Sequence, residues 1–198
     1  MDQFLDQEHA GNVIVSWSIN SPLVIDQEEH GTASFDERLS AAERCVAMGY
    51  PISFHIDPMI WHPNWKESYS YLVEQITERF SPQQVPYLSV GALRYQPEQK
   101  NMMRERFGGS SLVTQAETFI SRDGKLRYDC DLRHEMFNHI LDAFKSHDPL
   151  WKIFMCMETP ETWVSTLGHS PHREDSLKDL FQPIHKKMTQ VESNTTST

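Results

Sequence analysis

Two histidines and one aspartate fall within eight residues of each other and carry side chains suited to chemistry. His55 and Asp57 stand at the end of an apolar run, and His62 follows shortly after. Imidazole and carboxylate groups are the usual ligands of zinc, manganese or iron. The three residues suggest a metal-dependent hydrolase in which the metal activates water. Because the spacing is not that of a helical His-x-x-x-His pair, a polar strand end that hydrogen-bonds a ligand or a neighbouring loop is the alternative.

A second group of candidate residues is basic and lies further along the chain. Arg94 and Tyr95 begin this group, and Lys100, Arg104 and Arg106 follow. Cationic side chains can hold phosphates while a tyrosine ring stacks on a base. Arg94 and Tyr95 are therefore candidate substrate-binding residues. A solvated helix face explains the same composition, and both interpretations stay open.

Apolar segments that read as β-strands must position these side chains. The predicted strands fall within residues 12–18, 49–58, 85–93 and 151–158. Because side chains two apart on a strand share a face, His55 and Asp57 are predicted to project together near a strand's carboxyl end. In parallel α/β folds, ligands bind at that end. Ser18 and Asn20 occupy the loop after the first strand and suit the same edge, although such residues are also ordinary turn formers.

Helical patterns separate the predicted strands. Ser34 and Glu37 have the spacing of a capping box, and Asn64 can cap the next helix. Further helices are predicted up to Phe107, over 132–144 and over 160–167, whereas 112–120 is predicted to be extended before a hairpin turn at 122–125. This order predicts an α/β fold with parallel strands and outer helices. Four strands are too few to close an eight-stranded barrel, so a partial (β/α) barrel with an uncovered edge is expected.

Composition limits the partners and the compartment. The chain has 198 residues, with 28 acidic and 18 basic side chains and a net charge of -10, so contact with nucleic acid would be local. Cys45, Cys130 and Cys156 form no CxxC pair, which is typical of a reduced cytoplasmic compartment. The acidic start of the sequence lacks signal-peptide features, and no apolar run approaches the roughly 20 residues of a membrane span.

Several ordered blocks of residues between positions 11 and 163 form a joint signature. The blocks are Ser16-Trp17-Ser18-Ile19-Asn20, Glu29-His30-Gly31-Thr32-Ala33-Ser34, Ala41-Ala42 through Gly49-Tyr50-Pro51, Phe54-His55-Ile56-Asp57-Pro58, Ser89-Val90-Gly91-Ala92-Leu93-Arg94, Arg104-Glu105-Arg106-Phe107, Asp123-Gly124-Lys125-Leu126-Arg127-Tyr128 and Cys156-Met157-Glu158-Thr159-Pro160-Glu161. Together they resemble the spore photoproduct lyase family of radical S-adenosylmethionine (SAM) enzymes, often labelled DNA repair photolyases.

The resemblance implies roughly half of a radical SAM barrel, with a 4Fe-4S cluster and SAM in the complete enzyme. In that chemistry the cluster cleaves SAM to a 5′-deoxyadenosyl radical, which abstracts hydrogen from the substrate, a thymine lesion in DNA. On the matching positions, Ser18 and Asn20 look like the strand-end pair that contacts SAM. Asp57, with His55 on the same strand, stands where the next strand meets the cofactor.

The sequence departs from the family in its cysteines. The family's CxxxCxxC cluster loop has no counterpart here, and the spacing of the three cysteines fits no local cluster loop. The family's hydrogen-donating cysteine belongs to the same missing half, so Cys156 is not assigned that role. We therefore expect residues 1–168 to be the C-terminal half of such a barrel and 169–198 to be a polar extension with a disordered tail.

A split or truncated reading frame would explain this pattern. Its product would be catalytically silent without an N-terminal polypeptide carrying CxxxCxxC. A non-catalytic binding module and the metal-dependent hydrolase are the alternatives.

Overall fold

A parallel sheet forms the centre of the structure, a computed structural model that describes Leu5, His9, residues 13–109 and residues 111–169. Its strands are β1 (Val15–Ser18), β2 (Ile52–Met59), β3 (Leu88–Ala92) and, after three short strands, β7 (Ile153–Met155). They are hydrogen-bonded in the order β1-β2-β3-β7, and every pair is parallel. The predicted strands and the predicted partial (β/α) barrel class are confirmed.

Seven helices accompany this sheet in the described part of the chain. They are α1 (Pro22–Glu28), α2 (Phe35–Ala47), α3 (Trp65–Arg79), α4 (Pro97–Phe107), α5 (Leu112–Gln115), α6 (Cys130–His147) and α7 (Pro160–Leu167). Helix α2 contacts β1 and β2, α6 contacts β3, and α3 packs along α6. The predicted capping box of α2 is confirmed, because Ser34 Oγ accepts from the Glu37 N–H and the Glu37 carboxylate accepts from the Ser34 N–H.

The sheet has an apolar face and a polar face because side chains alternate along each strand. On β2, Ile52, Phe54 and Ile56 are fully buried in the core that the helices complete. Burial of each such side chain contributes about 1.5–3 kcal/mol. His55 and Asp57 alternate with these residues and are only partly buried. The alternation therefore fixes which side chains reach the helices and which reach the opposite face.

A small antiparallel sheet stands beside the main one. It contains β4 (Arg94–Tyr95), β5 (Phe119–Ile120) and β6 (Leu126–Arg127), in the order β4-β6-β5. Strands β5 and β6 form a hairpin around Gly124, which has a φ of 78°. A positive φ of this size suits glycine, and the predicted hairpin turn is confirmed.

Three local features of the structure differ from what the sequence predicted. Residues Leu112–Gln115 are helical rather than extended, because Ser111 accepts from the Thr114 N–H and caps the turn. Helix α1 was not predicted; it begins with Pro22, which is pre-set for a first helical position. Asn64 occupies the N-cap position of α3, but its side chain makes no capping hydrogen bond.

Two further expectations concern the ends of the chain and membranes. Among the described residues, no helix has both the length and the apolar character needed to cross a membrane. The predicted helix over 160–167 is confirmed. The predicted extension and tail beyond residue 169, and the predicted strand start at Asn12, lie outside the described residues.

Candidate functional site

A row of side chains crosses the polar face of the sheet near the carboxyl ends of its strands. Ser18 is in register with His55, His55 with Ser89, and Ser89 with Phe154. His55 Nδ1 and Ser89 Oγ are 2.5 Å apart and share a hydrogen bond. Asp57 lies one pleat further towards the carboxyl edge on the same face. The predicted juxtaposition of Ser18, His55 and Asp57 at this edge is therefore present.

Asp57 and Arg94 form a bidentate ion pair at this edge. Arg94 Nη1 donates to Asp57 Oδ1 at 2.7 Å, and Nη2 donates to Oδ2 at 2.9 Å. Their side chains are 14% and 13% exposed, so the pair is shielded but not sealed. The hydrogen bonds to Asp57 raise the pKa of Arg94 above its ordinary value, against the effect of burial. The pair joins β2 to β4, the short strand that follows β3, through two parallel charge-assisted hydrogen bonds.

The Asp57 carboxylate rests directly on Gly91 of the neighbouring strand. A Cβ added at position 91 would lie 2.6 Å from Asp57 Cγ and Oδ1. Carbon atoms pack no closer than about 3.5 Å, so only glycine leaves room for the carboxylate here. This close approach explains why a glycine stands inside a buried strand.

A cavity of about 440 Å³ opens beside the ion pair. Its lining consists of polar side chains and two apolar ones: Asp57, Pro58, Arg94, Tyr95, Gln96, Gln99, Lys125 and Met157. Tyr95 is 7% exposed, and its hydroxyl is 3.2 Å from Thr118 Oγ1. Arg94 and Tyr95, the candidate substrate-binding residues, therefore both border the cavity. That they bind substrate stays a prediction.

The other basic residues of the predicted group are used within the protein. Lys100 Nζ donates to the Ala116 carbonyl at 2.9 Å, and Arg104 Nη2 donates to the Thr114 carbonyl at 3.3 Å. These bonds hold α4, which has no fully buried side chain, against the segment before β5. The guanidinium of Arg106 lies over the ring of Phe107. The positive charge that faces the cavity comes from Arg94 and Lys125 instead.

Asn20 acts as a buried connection behind the polar row. It is 3% exposed, and its Nδ2 donates to the Pro58 carbonyl at 2.7 Å. Its Oδ1 accepts from the Tyr69 hydroxyl at 2.7 Å and from the Ser21 N–H at 3.1 Å. The same hydroxyl accepts from the Ile60 N–H at 2.6 Å. Asn20 therefore ties the loop after β1 to the end of β2, whereas Ser18 is exposed.

Two sulfur-containing side chains lie next to Arg94. Met157 Sδ is 3.2 Å from Arg94 Nη2, and Cys156 Sγ is 3.9 Å from the same nitrogen. Burial, with a hydrogen bond to Asp57, raises the pKa of Cys156 to about 11. Neither residue, nor Gly91, was predicted to belong to the site, because their contacts depend on packing between distant segments.

We expect Cys156 to be alkylated slowly at neutral pH, since only the thiolate is a nucleophile. A pKa of about 11 leaves about 100-fold less thiolate at pH 8 than an ordinary pKa near 9. Iodoacetamide labelling followed by mass spectrometry, on a Cys130→Ser variant, measures this rate. The rate should rise about tenfold per pH unit up to pH 10, and the urea-unfolded protein is the control. Fast labelling at pH 8 in the folded protein would contradict the assignment.

The proposed metal site at His55, Asp57 and His62 is not formed. No group of three His, Cys, Asp or Glu side chains in the described part of the chain could hold a metal ion. Asp57 is bound by Arg94, and His55 by Ser89. His62 lies beyond the strand and is 2% exposed, and burial lowers its pKa. The metal-dependent hydrolase interpretation is therefore wrong, because the residues are close in sequence but do not converge.

The residues at the edge fit SAM better than they fit an iron–sulfur cluster. Cys45 is buried, Cys130 is exposed on α6 and Cys156 lies beside Arg94, and these three form no cluster site in the described structure. A 4Fe-4S cluster needs several converging thiolates. Hydroxyl, imidazole and carboxylate groups are instead hydrogen-bonding partners for ammonium and hydroxyl groups, which SAM carries, and each carboxylate oxygen of Asp57 that accepts from Arg94 keeps a second lone pair.

Sequence comparison identifies one protein family and several curated relatives. A family model described as spore photoproduct lyase matches residues 1–144. Spore photoproduct lyase of Bacillus subtilis (strain 168) is 37% identical over 76 residues, which cover 38% of this chain and 22% of that protein. Spore photoproduct lyase of a Geobacillus strain is 29% identical over 114 residues, covering 57% and 33% respectively. The chain thus spans well under half the length of the curated relatives it matches.

Structure comparison identifies the same fold. Spore photoproduct lyase complexed with dinucleoside spore photoproduct matches with a TM-score of 0.67 and 24% identity, over 78% of this chain and 48% of that one. A mutant of spore photoproduct lyase with bound AdoMet and dinucleoside spore photoproduct matches with the same TM-score, identity and coverage. At this identity the likeness shows a shared fold, which covers about half of the solved chain.

Proposed function

The chain belongs to the spore photoproduct lyase family, and from that membership we propose that it forms the SAM-facing and substrate-facing wall of a radical SAM enzyme. The observation that carries the proposal is the row Ser18–His55 with Asp57 at the carboxyl edge of a parallel half barrel. Ligands of open parallel sheets bind at this edge. One solved relative is described with bound AdoMet.

In the proposed arrangement, SAM lies against the polar row. Ser18 and His55 offer a hydroxyl and an imidazole to its polar groups, and Asp57 offers a carboxylate to its cationic groups. Asn20 holds the loop after β1 in place, since its amide is committed to Pro58, Tyr69 and Ser21. When bound with a cluster, SAM supplies the radical chemistry of the family; the residues described here bind and orient it.

We propose that the cluster ligands come from sequence outside these 198 residues. The printed chain has three cysteines and no CxxxCxxC, and its described cysteines do not converge. An N-terminal polypeptide that carries CxxxCxxC would pair with the free edge of β1, which in the described residues has a neighbour on one side only. Alone, the chain is then catalytically silent.

The proposed substrate is a lesion in DNA, held beside the cavity. Lys125 and the Asp57-paired Arg94 are the cationic side chains of its lining, and Tyr95 supplies an aromatic wall. A net charge of -10 disfavours binding along a long phosphate backbone, so a contact confined to one or two nucleotides fits better. A solved relative is described in complex with dinucleoside spore photoproduct.

Reconstitution with a cluster-bearing partner tests this proposal. The chain is combined anaerobically with an N-terminal segment of a family member that carries CxxxCxxC and its cluster, dithionite is added to reduce the cluster, and 5′-deoxyadenosine release from SAM is measured. We expect release from the pair and none from either part alone. An Asp57→Asn variant in the pair should weaken SAM binding about tenfold, because it removes a charged acceptor.

Two outcomes and one control separate the alternatives. A stable 4Fe-4S cluster on the isolated chain after iron and sulfide treatment would contradict the proposal that the cluster ligands lie elsewhere. Partner binding without any SAM cleavage favours the non-catalytic binding module. A partner whose CxxxCxxC cysteines are changed to alanine is the control, and it should bind the chain but release no 5′-deoxyadenosine.

A further inference from the structure

A fully buried carboxylate lies between two buried arginines behind the cavity wall. The Glu158 side chain is 0% exposed, and those of Arg127 and Arg133 are 2% and 7% exposed. Glu158 Oε1 lies 3.4 Å from Arg127 Nη1, and Oε2 lies 3.4 Å from Arg133 Nε. Burial raises the pKa of Glu158, and the two arginines act against that rise.

These charges come from three separate segments. Arg127 belongs to β6 of the hairpin, Arg133 to α6, and Glu158 to the turn between β7 and α7. Arg127 Nη2 also donates to Asp123 Oδ2 at 2.7 Å within the hairpin. Arg133 Nη1 donates to the Tyr128 carbonyl at 2.6 Å, just after β6. The β5–β6 hairpin is therefore joined to α6 and to the turn between β7 and α7 through buried charged side chains.

The network also reaches the site. Arg127 Nη2 donates to the Met157 carbonyl at 3.1 Å. Met157 has a φ of 52°, a left-handed conformation that a side-chain-bearing residue keeps only when its surroundings hold it. The same residue places its sulfur against Arg94, which binds Asp57. A chain of direct contacts thus runs from Glu158 through Arg127 and Met157 to the ion pair.

The contacts of Glu158 with Arg127 and Arg133 indicate that these charged side chains fix the positions of the segments that carry them rather than add stability. Among the described residues, the buried Nε atoms of Arg127 and Arg133 have no hydrogen-bond partner, and the contacts to Glu158 are long. An apolar cluster of equal volume is often as stable as a buried ion group, but it fixes the positions of its members less strictly. The charges are thus better explained by the arrangement they impose.

We propose that Glu158 is a positioning residue: it fixes the β5–β6 hairpin and the Cys156–Glu158 turn in one arrangement and so sets the cavity wall beside Arg94. The hairpin contributes Lys125 to the cavity, and the turn contributes Met157. Only the consequence for ligand binding rests on the proposed function; the structural claim concerns the protein by itself.

The Glu158→Gln variant tests this inference because it keeps the shape and removes the charge. We expect amide hydrogen exchange in residues 119–127 to become at least tenfold faster, with exchange in β2 and β3 unchanged. The guanidinium NMR signals of Arg94, assigned from their loss in Arg94→Lys, should shift. The control is Glu161→Gln, since Glu161 and Arg122 join the same two segments through an exposed ion pair.

A second variant separates positioning from the mere cost of an unpaired charge. Arg127→Met combined with Glu158→Gln removes one cation along with the anion, so its melting temperature should recover relative to Glu158→Gln. Fast exchange of the hairpin and shifted Arg94 signals should persist in this double variant, which also carries the test where Glu158→Gln fails to fold. If the double variant restores both readouts, or if Glu158→Gln changes neither, the inference is wrong. SAM binding in the reconstituted pair is measured separately, so failure of the proposed function is distinguishable.

Discussion

Replacing Asn20 by alanine should lower the free energy of unfolding by about 3 kcal/mol, because several buried groups lose their partner at once. The Pro58 carbonyl loses a donor, and the Tyr69 hydroxyl and the Ser21 N–H lose an acceptor. Each buried polar group left without a partner costs about 1–3 kcal/mol, and partial relaxation keeps the total near the lower end of the sum. Urea denaturation followed by tryptophan fluorescence measures the change.

The matched control for this prediction is Ser18→Ala. Ser18 was predicted to contact SAM together with Asn20, but it is exposed at the end of β1. We expect its substitution to change stability by less than about 0.5 kcal/mol. An equal loss of stability in the two variants would show that the buried amide is not what distinguishes these positions.

A double-mutant cycle with Tyr69→Phe identifies the hydrogen bond responsible. Tyr69 is fully buried, and its hydroxyl contacts both Asn20 and the Ile60 N–H. Because the two variants remove the same bond, their combined effect should be smaller than the sum by about 1 kcal/mol. Strict additivity would mean that the two side chains act independently.

The result for Asn20 also bears on how activity data are interpreted. Loss of SAM binding in an Asn20 variant would follow from a displaced loop as readily as from a lost contact with the cofactor. Ser18, His55 and Asp57 are the residues whose variants report on the site itself, provided that their stability is measured alongside.

The fold was largely predictable because its signals are local. The branched and aromatic residues of 12–18 and 49–58 predict strands, and Ser34 with Glu37 predicts the start of a helix. The period of two along β2 also predicts that His55 and Asp57 share a face. Leu112–Gln115 was misjudged because a single serine cap outweighed the extended tendency of its neighbours.

The site was less predictable because its decisive contacts join distant segments. Asp57 and Arg94 are 37 residues apart, and Asn20 and Tyr69 are 49 apart. No sequence period relates such residues, so Asp57 was assigned to the cofactor and Arg94 to the substrate as if they were separate. His62 shows the converse error, since nearness in sequence suggested a metal site that the end of β2 prevents.

Asp57, the predicted cofactor-binding residue, is in direct contact with Arg94, the predicted substrate-binding residue. A cationic group that binds Asp57 must compete with Arg94 or share the carboxylate with it. Both guanidinium Nη atoms of Arg94 already donate to Asp57. We therefore expect the proposed cofactor-binding and substrate-binding sides of the cavity to influence each other, since they meet at one ion pair.

Replacing Gly91 by alanine should disrupt this pair at its base. The new Cβ would lie 2.6 Å from the Asp57 carboxylate, whose own backbone is fixed in the neighbouring strand. Overpacking of this kind costs about 1–3 kcal/mol, and a displaced carboxylate also leaves Arg94 without its partner. We expect a total loss of about 3 kcal/mol in urea denaturation, together with shifted Arg94 guanidinium signals.

The control for Gly91→Ala is Gly109→Ala, and the decisive comparison is a second cycle with Asp57→Ala. A Cβ at Gly109 meets no atom of the described residues within 4 Å, so this variant should be as stable as the wild type. Removing the carboxylate makes room for the added methyl group at position 91, so the Gly91→Ala change should cost less in the Asp57→Ala background than in the wild type. If the cost is the same in both backgrounds, the clash lies elsewhere, and Gly91 is not the residue that lets Asp57 reach Arg94 at the carboxyl edge.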